Sequence, residues 1–216
     1  MLARGMPWFI IVPPAVTIAV VATMLVSPVP VGWGAWALVA VLAVASAFGL
    51  LFFRDPEREC AEGLLAPAHG RVLVVEDVDD GDAWTRVSTF MGPFDVHVVR
   101  APLDGRVAAM ERAGSGFARA DAPGARHNVH LTLTMDPRRL GEHHRVVLVS
   151  GYFARRIVPY VAVGDRVARG ERIALIRFGS RVDVLVPRGM FAISARRGQR
   201  VRAGETSLGV RADARR

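Results

Sequence analysis

The sequence of 216 residues contains no lysine, so all 28 of its basic residues are arginine. A lysine side chain anchors pyridoxal phosphate, carries biotinyl and lipoyl groups, and binds phosphate in Walker-type loops. None of these functions is available to this chain. The exclusion rests on the chemistry of the amino group and does not depend on the fold.

Cysteine is almost as scarce, because Cys60 is the only one. A single cysteine excludes an internal disulfide and argues against a cysteine-rich zinc site. The formal net charge is +8, yet no basic cluster is interleaved with aromatic residues, so we expect no binding to nucleic acid. The arginine excess suits an anionic membrane surface, where each arginine contributes about 1 kcal/mol.

Charge is also missing from one long stretch, since no Asp, Glu, Lys or Arg lies between Arg4 and Arg54. Two apolar runs fill this stretch, at residues 8–27 and 32–53. Each run is long enough to cross a hydrocarbon core of about 30 Å at about 1.5 Å per residue. A short uncharged connection, residues 28–31, joins them.

These runs predict a membrane hairpin of two apolar helices over residues 1–53. Pro13 and Pro14 are expected to kink the first helix, so a shallow hairpin is an alternative to two full spans. Because arginines flank both ends of the pair, the positive-inside rule places both ends in the cytoplasm. We therefore expect residues 54–216 to lie on the cytoplasmic face of the cell (inner) membrane.

Residues 54–216 have the pattern of a mainly β domain. Short runs rich in Val, Ile, Leu and Thr are bounded by Gly, Pro or Asp, and none has a clear helical period. Residues 113–126 are predicted to be a mobile loop. The predicted strands are residues 71–78, 85–91, 97–100, 129–134, 146–150, 157–161, 173–177 and 182–187.

Two pairs of segments repeat within this domain. Residues 66–72 (APAHGRV) match residues 101–107 (APLDGRV), and residues 163–171 match residues 197–205. Such pairs are typical of the barrel-sandwich folds that carry lipoyl and biotinyl groups. Because the carrier function needs a lysine, the repeats predict a hammerhead-like barrel-sandwich β domain and not a carrier.

A serine and a histidine are the candidates for chemistry. Ser180 lies between two predicted strands, and Gly179 before it leaves an unhindered carbonyl next to the serine hydroxyl. A serine hydroxyl is a poor nucleophile unless a base removes its proton, and histidine is the usual base. His97, in the segment FDVHVVRAP, is the candidate base.

At this point the sequence resembles a known family, the short-form phosphatidylserine decarboxylase proenzymes of bacteria and archaea. The resemblance runs from about residue 50 to about residue 210 and includes a membrane-proximal motif at residues 52–58. The most specific block is FGSRVD, which contains Ser180. The other matching blocks are residues 94–102, 154–158 and 164–171.

The resemblance implies self-cleavage. Ser180 would attack the carbonyl of Gly179 to form an ester, and β-elimination would leave a pyruvoyl group at residue 180. The products, residues 1–179 and 180–216, would form a heterodimer.

The resemblance also implies a membrane phospholipid as substrate. The pyruvoyl group would form a Schiff base with the amine of phosphatidylserine, or of archaetidylserine, and accept electrons as CO₂ leaves. The product would be the ethanolamine phospholipid. We expect neither pyridoxal phosphate nor a metal.

The sequence departs from the family at the position of the acidic residue in the self-cleaving site. His97 matches the family histidine, which resembles the base of a serine-protease triad. The family usually has an aspartate in the block that reads Pro-Ala-His-Gly here, so His69 stands at the expected aspartate position. Asp95 and Asp104 are the alternative carboxylates.

The remaining polar residues allow several interpretations. Arg155 and Arg156 could bind the phosphate of the head group, and a structural salt bridge is equally consistent. His143 and His144 follow a glycine and precede a strand, which predicts a solvated turn. His127 lies in a predicted loop, so no metal site is predicted there.

Two other functions fit the same fold prediction. The chain could be a homologue in which His69 marks the loss of maturation. It could also be a membrane-tethered barrel-sandwich protein that binds partners.

Overall fold

The computed structural model describes residues 2–7, 10–27, 32–137, 143–152, 156–177 and 180–212. The chain divides into two compact units, Met1–Pro56 and Glu57–Arg216. The first contains a pair of apolar helices and the second is mainly β. The predicted fold class, a β domain after an N-terminal helical hairpin, is confirmed.

The two helices differ in length. Helix α2, Trp33–Phe52, has 20 residues and is long and apolar enough to cross a membrane. Helix α1, Val12–Val26, has only 15 residues, which is about 22 Å and shorter than a hydrocarbon core. The first helix is therefore shorter than the apolar run at residues 8–27, as the alternative of a shallow hairpin requires. Its two prolines lie in the first helical turn, where a missing N–H needs no partner, so they begin the helix instead of kinking it.

The segments that flank the helical pair meet at one end. Leu2 forms an isolated β-bridge with Arg54, and the backbone N–H of Ala3 donates to the Phe53 carbonyl at 2.8 Å. Arg4 and Arg54 therefore lie at the same end of the pair. The predicted connection, residues 28–31, lies outside the described residues.

The β unit contains fourteen strands among the described residues, and all eight predicted strands are present. The sequence analysis missed the strand Gly105–Ala113, because its composition is rich in Ala, Arg and Glu and half of it is exposed. A short 3₁₀ helix, Pro123–His127, lies in the predicted loop. In chain order the strands β1 to β14 are Leu64–Leu65, Gly70–Asp80, Asp82–Met91, Val98–Arg100, Gly105–Ala113, His130–Pro137, His144–Val149, Ile157–Pro159, Arg166–Val167, Arg172–Ile176, Ser180–Pro187, Phe191–Ile193, Arg200–Val201 and Ser207–Arg211.

These strands form one large sheet and two small ones. The large sheet has the order β13-β2-β3-β11-β7-β6-β5-β9. The small sheets have the orders β1-β14-β12 and β4-β10-β8. All the neighbouring strands pair antiparallel.

The order of strands shows an internal duplication. Strands β4 to β10 form one half, and strands β1 to β3 with β11 to β14 form the other, each with one small sheet and four strands of the large sheet. The sequence repeats occupy equivalent places in the two halves. In each half, the glycine of one repeat lies opposite the valine of the other, Gly70 opposite Val201 and Gly105 opposite Val167. One half is therefore inserted into the other, between β3 and β11.

Each half has its own hydrophobic core, and β11 contributes to both. Val182 packs in the cluster formed mainly by the inserted half. Val184 and Val186 pack in the cluster of the outer half. Alternate residues of a strand share one face, so a single face of β11 joins the two cores.

His144 contradicts the prediction of a solvated turn. It is the first residue of β7 and is 1% exposed, on the same inward face as Val146 and Leu148. Neither ring nitrogen makes a hydrogen bond to the described residues. Burial, and to a lesser extent repulsion from His143, lowers the pKa of His144 to about 4.

This buried histidine predicts a loss of stability in mild acid. The folded protein resists protonation of His144, whereas the unfolded chain accepts a proton near pH 6.5. The free energy of unfolding should therefore fall by roughly 3 kcal/mol in total as the pH decreases from about 6.5 to about 4. Urea unfolding of the detergent-solubilised protein at several pH values measures this slope.

The matched variants are His144→Leu, which removes the buried group, and His143→Gln, which changes only its exposed neighbour. His144→Leu should flatten the pH dependence, and His143→Gln should largely retain it. An unchanged slope in His144→Leu would show that another group is responsible.

Candidate active site

Ser180 is the first residue of β11 and lies opposite Met91, the last residue of β3. Its side chain is fully buried, and its hydroxyl makes no hydrogen bond to the described residues. A buried hydroxyl without a partner is unfavourable, which is typical of a functional group. The preceding Gly179 lies outside the described residues.

His97 directly precedes β4 and is also fully buried. Its carbonyl accepts a hydrogen bond from the Ile176 N–H at 3.2 Å. Its Nδ1 lies 2.8 Å from the carbonyl oxygen of Asp95. Because a carbonyl only accepts, Nδ1 carries the proton and Nε2 remains as the basic nitrogen.

Both residues lie where the chain crosses between the two halves of the β unit. The first crossing, residues 92–97, leads from β3 to β4 and contains His97. The second crossing leads from Ile176 to Ser180. Ile176 is hydrogen-bonded to His97, and Ser180 pairs with the last residue of β3. The insertion of one half into the other therefore brings the predicted base and the predicted nucleophile to the same edge.

Asp95 closes the turn that holds His97. Its carboxylate Oδ2 accepts from the Gly92 N–H at 2.8 Å, and its own N–H donates to the Gly92 carbonyl at 3.0 Å. This turn aims the Asp95 carbonyl at the ring of His97. The sequence analysis named Asp95 as an alternative carboxylate, and the structure shows it in a turn, in contact with the His97 ring through its main-chain carbonyl.

His69 faces the same carboxylate. Its Nε2 lies 3.6 Å from Asp95 Oδ1, and its Nδ1 lies 3.5 Å from the Arg58 guanidinium. Since arginine only donates, Nδ1 is the accepting nitrogen, and the proton on Nε2 points to the carboxylate. Gly70 follows at a position where a Cβ would collide with the Phe90 carbonyl.

Asp104, the other alternative, has a different environment. It is the counterpart of His69 in the second repeat, and it is exposed. Its carboxylate accepts from the Arg169 N–H at 2.8 Å and so fastens a turn. Asp95 is therefore the carboxylate that the structure places beside His69 and His97.

Two arginines meet close to the second crossing. The N–H of Arg177 donates to the Arg156 carbonyl at 3.3 Å, and the side chain of Arg156 is exposed. Burial and the nearby Arg156 guanidinium both lower the pKa of Arg177. The sequence analysis missed Arg177, although its place in the RFGSRVD block was a signal. Arg155 lies outside the described residues.

Asn128 is a second residue that the sequence analysis missed. It is fully buried, and its amide donates to the carbonyls of Ala118 and Ser150 at 2.8 and 2.7 Å. Its Oδ1 accepts from the Ala118 N–H. These bonds tie the segment predicted as a mobile loop to the residue after β7. Nothing in the spacing of the sequence marked this amide.

Comparison with known proteins identifies the family of the chain. Residues 45–209 match the model of a family described as phosphatidylserine decarboxylase. The chain belongs to this family. The resemblance found in the sequence is thereby confirmed, and the family match includes both crossings and both halves of the β unit.

Several curated relatives are similar over most of their length. A phosphatidylserine decarboxylase proenzyme of Streptomyces griseus is 45% identical over 81% of this chain and 80% of its own. One from Thermobifida fusca is 47% identical over 78% and 76%. A provisionally named archaetidylserine decarboxylase proenzyme of Halobacterium salinarum is 40% identical over 96% and 99%. No solved structure matches the chain.

Proposed function

We propose that the protein is a self-processing, pyruvoyl-dependent decarboxylase that converts phosphatidylserine, or archaetidylserine, to the ethanolamine phospholipid. Its family and relatives support the reaction class, and relatives with both names are among them. The observation that carries the proposal is the buried hydroxyl of Ser180, which makes no hydrogen bond to the described residues and follows the crossing that begins at Ile176, the hydrogen-bond partner of His97.

The self-processing proceeds in three stages. Nε2 of His97 takes the proton of the Ser180 hydroxyl, whose oxygen attacks the Gly179 carbonyl. The Gly179–Ser180 C–N bond breaks as nitrogen gains the proton, which gives an ester. β-Elimination then removes the Cα hydrogen of residue 180 and breaks its Cβ–Oγ bond, which releases residues 1–179 with a terminal carboxylate. Water then hydrolyses the dehydroalanine-type group that remains at residue 180. Its nitrogen leaves as ammonia, and the pyruvoyl group is left.

Position 180 suits such a group. Its side chain is buried within a paired strand and its oxygen makes no bond to the described residues that conversion would break. A pyruvoyl carbonyl supplies the electron sink for the loss of CO₂ that pyridoxal phosphate supplies elsewhere. The chain has no lysine to anchor pyridoxal phosphate, so a carbonyl made from its own serine is the consistent source.

The sheet supports a heterodimer of the two products. β11 pairs with β3 from Ser180 to Pro187 and with β7 from Arg181 to Leu185. β13 and β14 pair with β2 and β1. These contacts join residues 180–216 to residues 1–179 without the covalent bond.

The first prediction concerns processing at Gly179–Ser180. Intact-mass analysis of the purified protein should give two chains that divide at this bond, the smaller with an N-terminal pyruvoyl. Ser180→Ala should remain one chain because it lacks the attacking oxygen. Ser88→Ala, which removes another buried hydroxyl in β3, is the matched control and should be cleaved. An uncut wild-type chain, or a cleaved Ser180→Ala variant, would contradict the mechanism.

Asp95 supplies the negative charge of the site in this proposal. Its main-chain carbonyl fixes the Nδ1–H tautomer of His97, and its carboxylate lies beside His69 and the Arg200 guanidinium. Protonation of His97 during the attack is favoured by a nearby negative charge. A neutral His69 at the family's aspartate position is compatible with cleavage when Asp95 remains ionised.

The second prediction follows from that charge. Asp95→Asn keeps the main-chain carbonyl and an accepting oxygen for Gly92 but removes the charge, so self-cleavage should slow about tenfold or more. The effect should stay below the ~10⁴ loss in serine proteases, where the triad carboxylate itself orients the histidine. Asp104→Asn is the matched control. Cleavage is followed by gel or mass after synthesis, and equal rates for both variants would refute the role of Asp95.

The two arginines support a phosphate site. Their guanidinium groups are close enough for Arg156 to lower the pKa of Arg177, and an anion placed between them would relieve this repulsion. Arg177 precedes the proposed pyruvoyl position by three residues, and the backbone hydrogen bond joins Arg156 to Arg177. Arg155 remains a candidate from the sequence alone.

The third prediction tests that site. Arg156→Gln should raise KM for the phospholipid about five- to tenfold, the loss of one charged hydrogen bond, with processing unchanged. Arg166→Gln removes an exposed arginine of β9 and should leave KM unaltered. Decarboxylation rates over a range of substrate concentrations measure both, and an unchanged KM in Arg156→Gln would refute the assignment.

The helical unit supports attachment to a membrane. α2 is a candidate membrane anchor by length and composition, and Arg4 and Arg54 lie at the same end of the helical pair. The positive-inside rule then favours a cytoplasmic position for that end. We infer attachment to the inner membrane with the β unit on its cytoplasmic face.

A further inference from the structure

The β unit exposes few large apolar side chains among its described residues. They are Phe94, Tyr152, Val163 and Val210, which are 67%, 64%, 60% and 38% exposed. Single exposed apolar residues are common and need no special explanation. The two aromatic residues are distinguished by their position.

Phe94 and Tyr152 lie on either side of Ser180. β11 is antiparallel to both of its neighbours, so the last residues of β3 and β7 lie beside the first residue of β11. This end of the three strands is the Ser180 edge of the β unit. Phe94 is three residues beyond Met91, the last residue of β3, and Tyr152 is three residues beyond Val149, the last of β7. Since neighbouring strands are about 4.8 Å apart, β3 and β7 are about 10 Å apart at this edge.

Arginine accompanies the two rings. Arg156 is exposed four residues after Tyr152, and it meets Arg177, which precedes Ser180 by three residues. Exposed aromatic rings with flanking cations are typical of protein surfaces that contact a membrane interface. Aromatic side chains lie at the level of the lipid head groups there, and arginine pairs with their phosphates.

We propose that Phe94 and Tyr152 insert into the head-group layer of an anionic phospholipid bilayer and hold the Ser180 edge of the β unit against it. The proposal takes its substrate from the proposed function. A lipid whose chains stay in the bilayer reaches a buried residue 180 only if this edge meets the membrane. Two exposed rings, each following one of two strands that are about 10 Å apart, with arginines beside them, suit a charged lipid surface better than the continuous apolar centre of a protein interface.

A depth measurement tests the contact without catalysis. The full-length protein with Cys60→Ser receives one cysteine, by Phe94→Cys, Tyr152→Cys or Val163→Cys, labelled with an environment-sensitive fluorophore. It is reconstituted into vesicles of phosphatidylcholine and phosphatidylglycerol that contain head-group spin-labelled lipid. Labels at 94 and 152 should be quenched at least about twofold more than the label at 163, because interfacial side chains lie about 5–10 Å within the boundary layer.

Equal quenching at all three positions would overturn the proposal. Labels at 94 and 152 that stay aqueous in vesicles but become protected in native membranes would also overturn it, because a protein partner would then cover this edge. These outcomes do not depend on the enzyme being active.

A kinetic measurement adds the link to substrate. The double variant Phe94→Ser, Tyr152→Ser is compared with Val163→Ser, with rates normalised to processed protein. The ratio of kcat/KM on vesicle-borne to monomeric short-chain phosphatidylserine should fall about tenfold in the double variant, as expected when roughly 1.4 kcal/mol of interfacial binding is lost. It should not change in Val163→Ser.

An unchanged ratio in the double variant would contradict the docking role. A wild-type protein that decarboxylates neither substrate would contradict the proposed function instead, and the quenching result would still decide the contact with the bilayer.

Discussion

The hydrogen bonding of β11 along both of its edges is the constraint on which the site depends. The strand pairs with β3 over its whole length and with β7 over five residues, and its inward face packs in both hydrophobic cores. The position of Ser180, its first residue, is therefore set by two neighbours and not by the peptide bond before it. A break at that bond leaves these contacts intact, so a strand in the middle of a sheet can begin a separate chain.

The duplication explains why the predicted base and nucleophile lie close to the same strand ends. In the inserted half, the third strand β6 is followed along the chain by the fourth, β7, and pairs with it. In the outer half, two crossings into and out of the inserted half separate the third strand, β3, from the fourth, β11. His97 lies in the first crossing, and Ser180 begins the strand that follows the second. The two repeats then diverge, because Asp104 fastens a turn while its counterpart His69 faces the Asp95 carboxylate.

The sequence predicted the class of the fold and eight strands, because these depend on alternation and on turn residues. The nucleophile Ser180 and the base His97 stay predictions, which came from a specific block of residues and from a resemblance. The sequence did not predict that His144 is buried, since Gly141 and the neighbouring histidine indicated a solvated turn. In the structure, His144, Val146 and Leu148 alternate on the inward face of the strand. The sequence analysis named Asp95 only as an alternative carboxylate, because a main-chain carbonyl contact leaves no mark in a side-chain pattern. Asn128 was missed for a similar reason, since its partners are backbone groups up to 22 residues away.

The absence of lysine and the burial of Ser180 together limit how the reaction is organised. A carbonyl made from a buried residue is shielded from water, which strengthens its electrostatic interactions, but a lipid head group cannot reach it from bulk solvent. The cations that meet the head group must be arginines, whose planar donors suit phosphate and which stay charged beside one another. Arg156 and Arg177 are such a pair at the edge where Phe94 and Tyr152 emerge. Under the proposed function, the edge that shields residue 180 from water is thus also the edge that must meet the membrane.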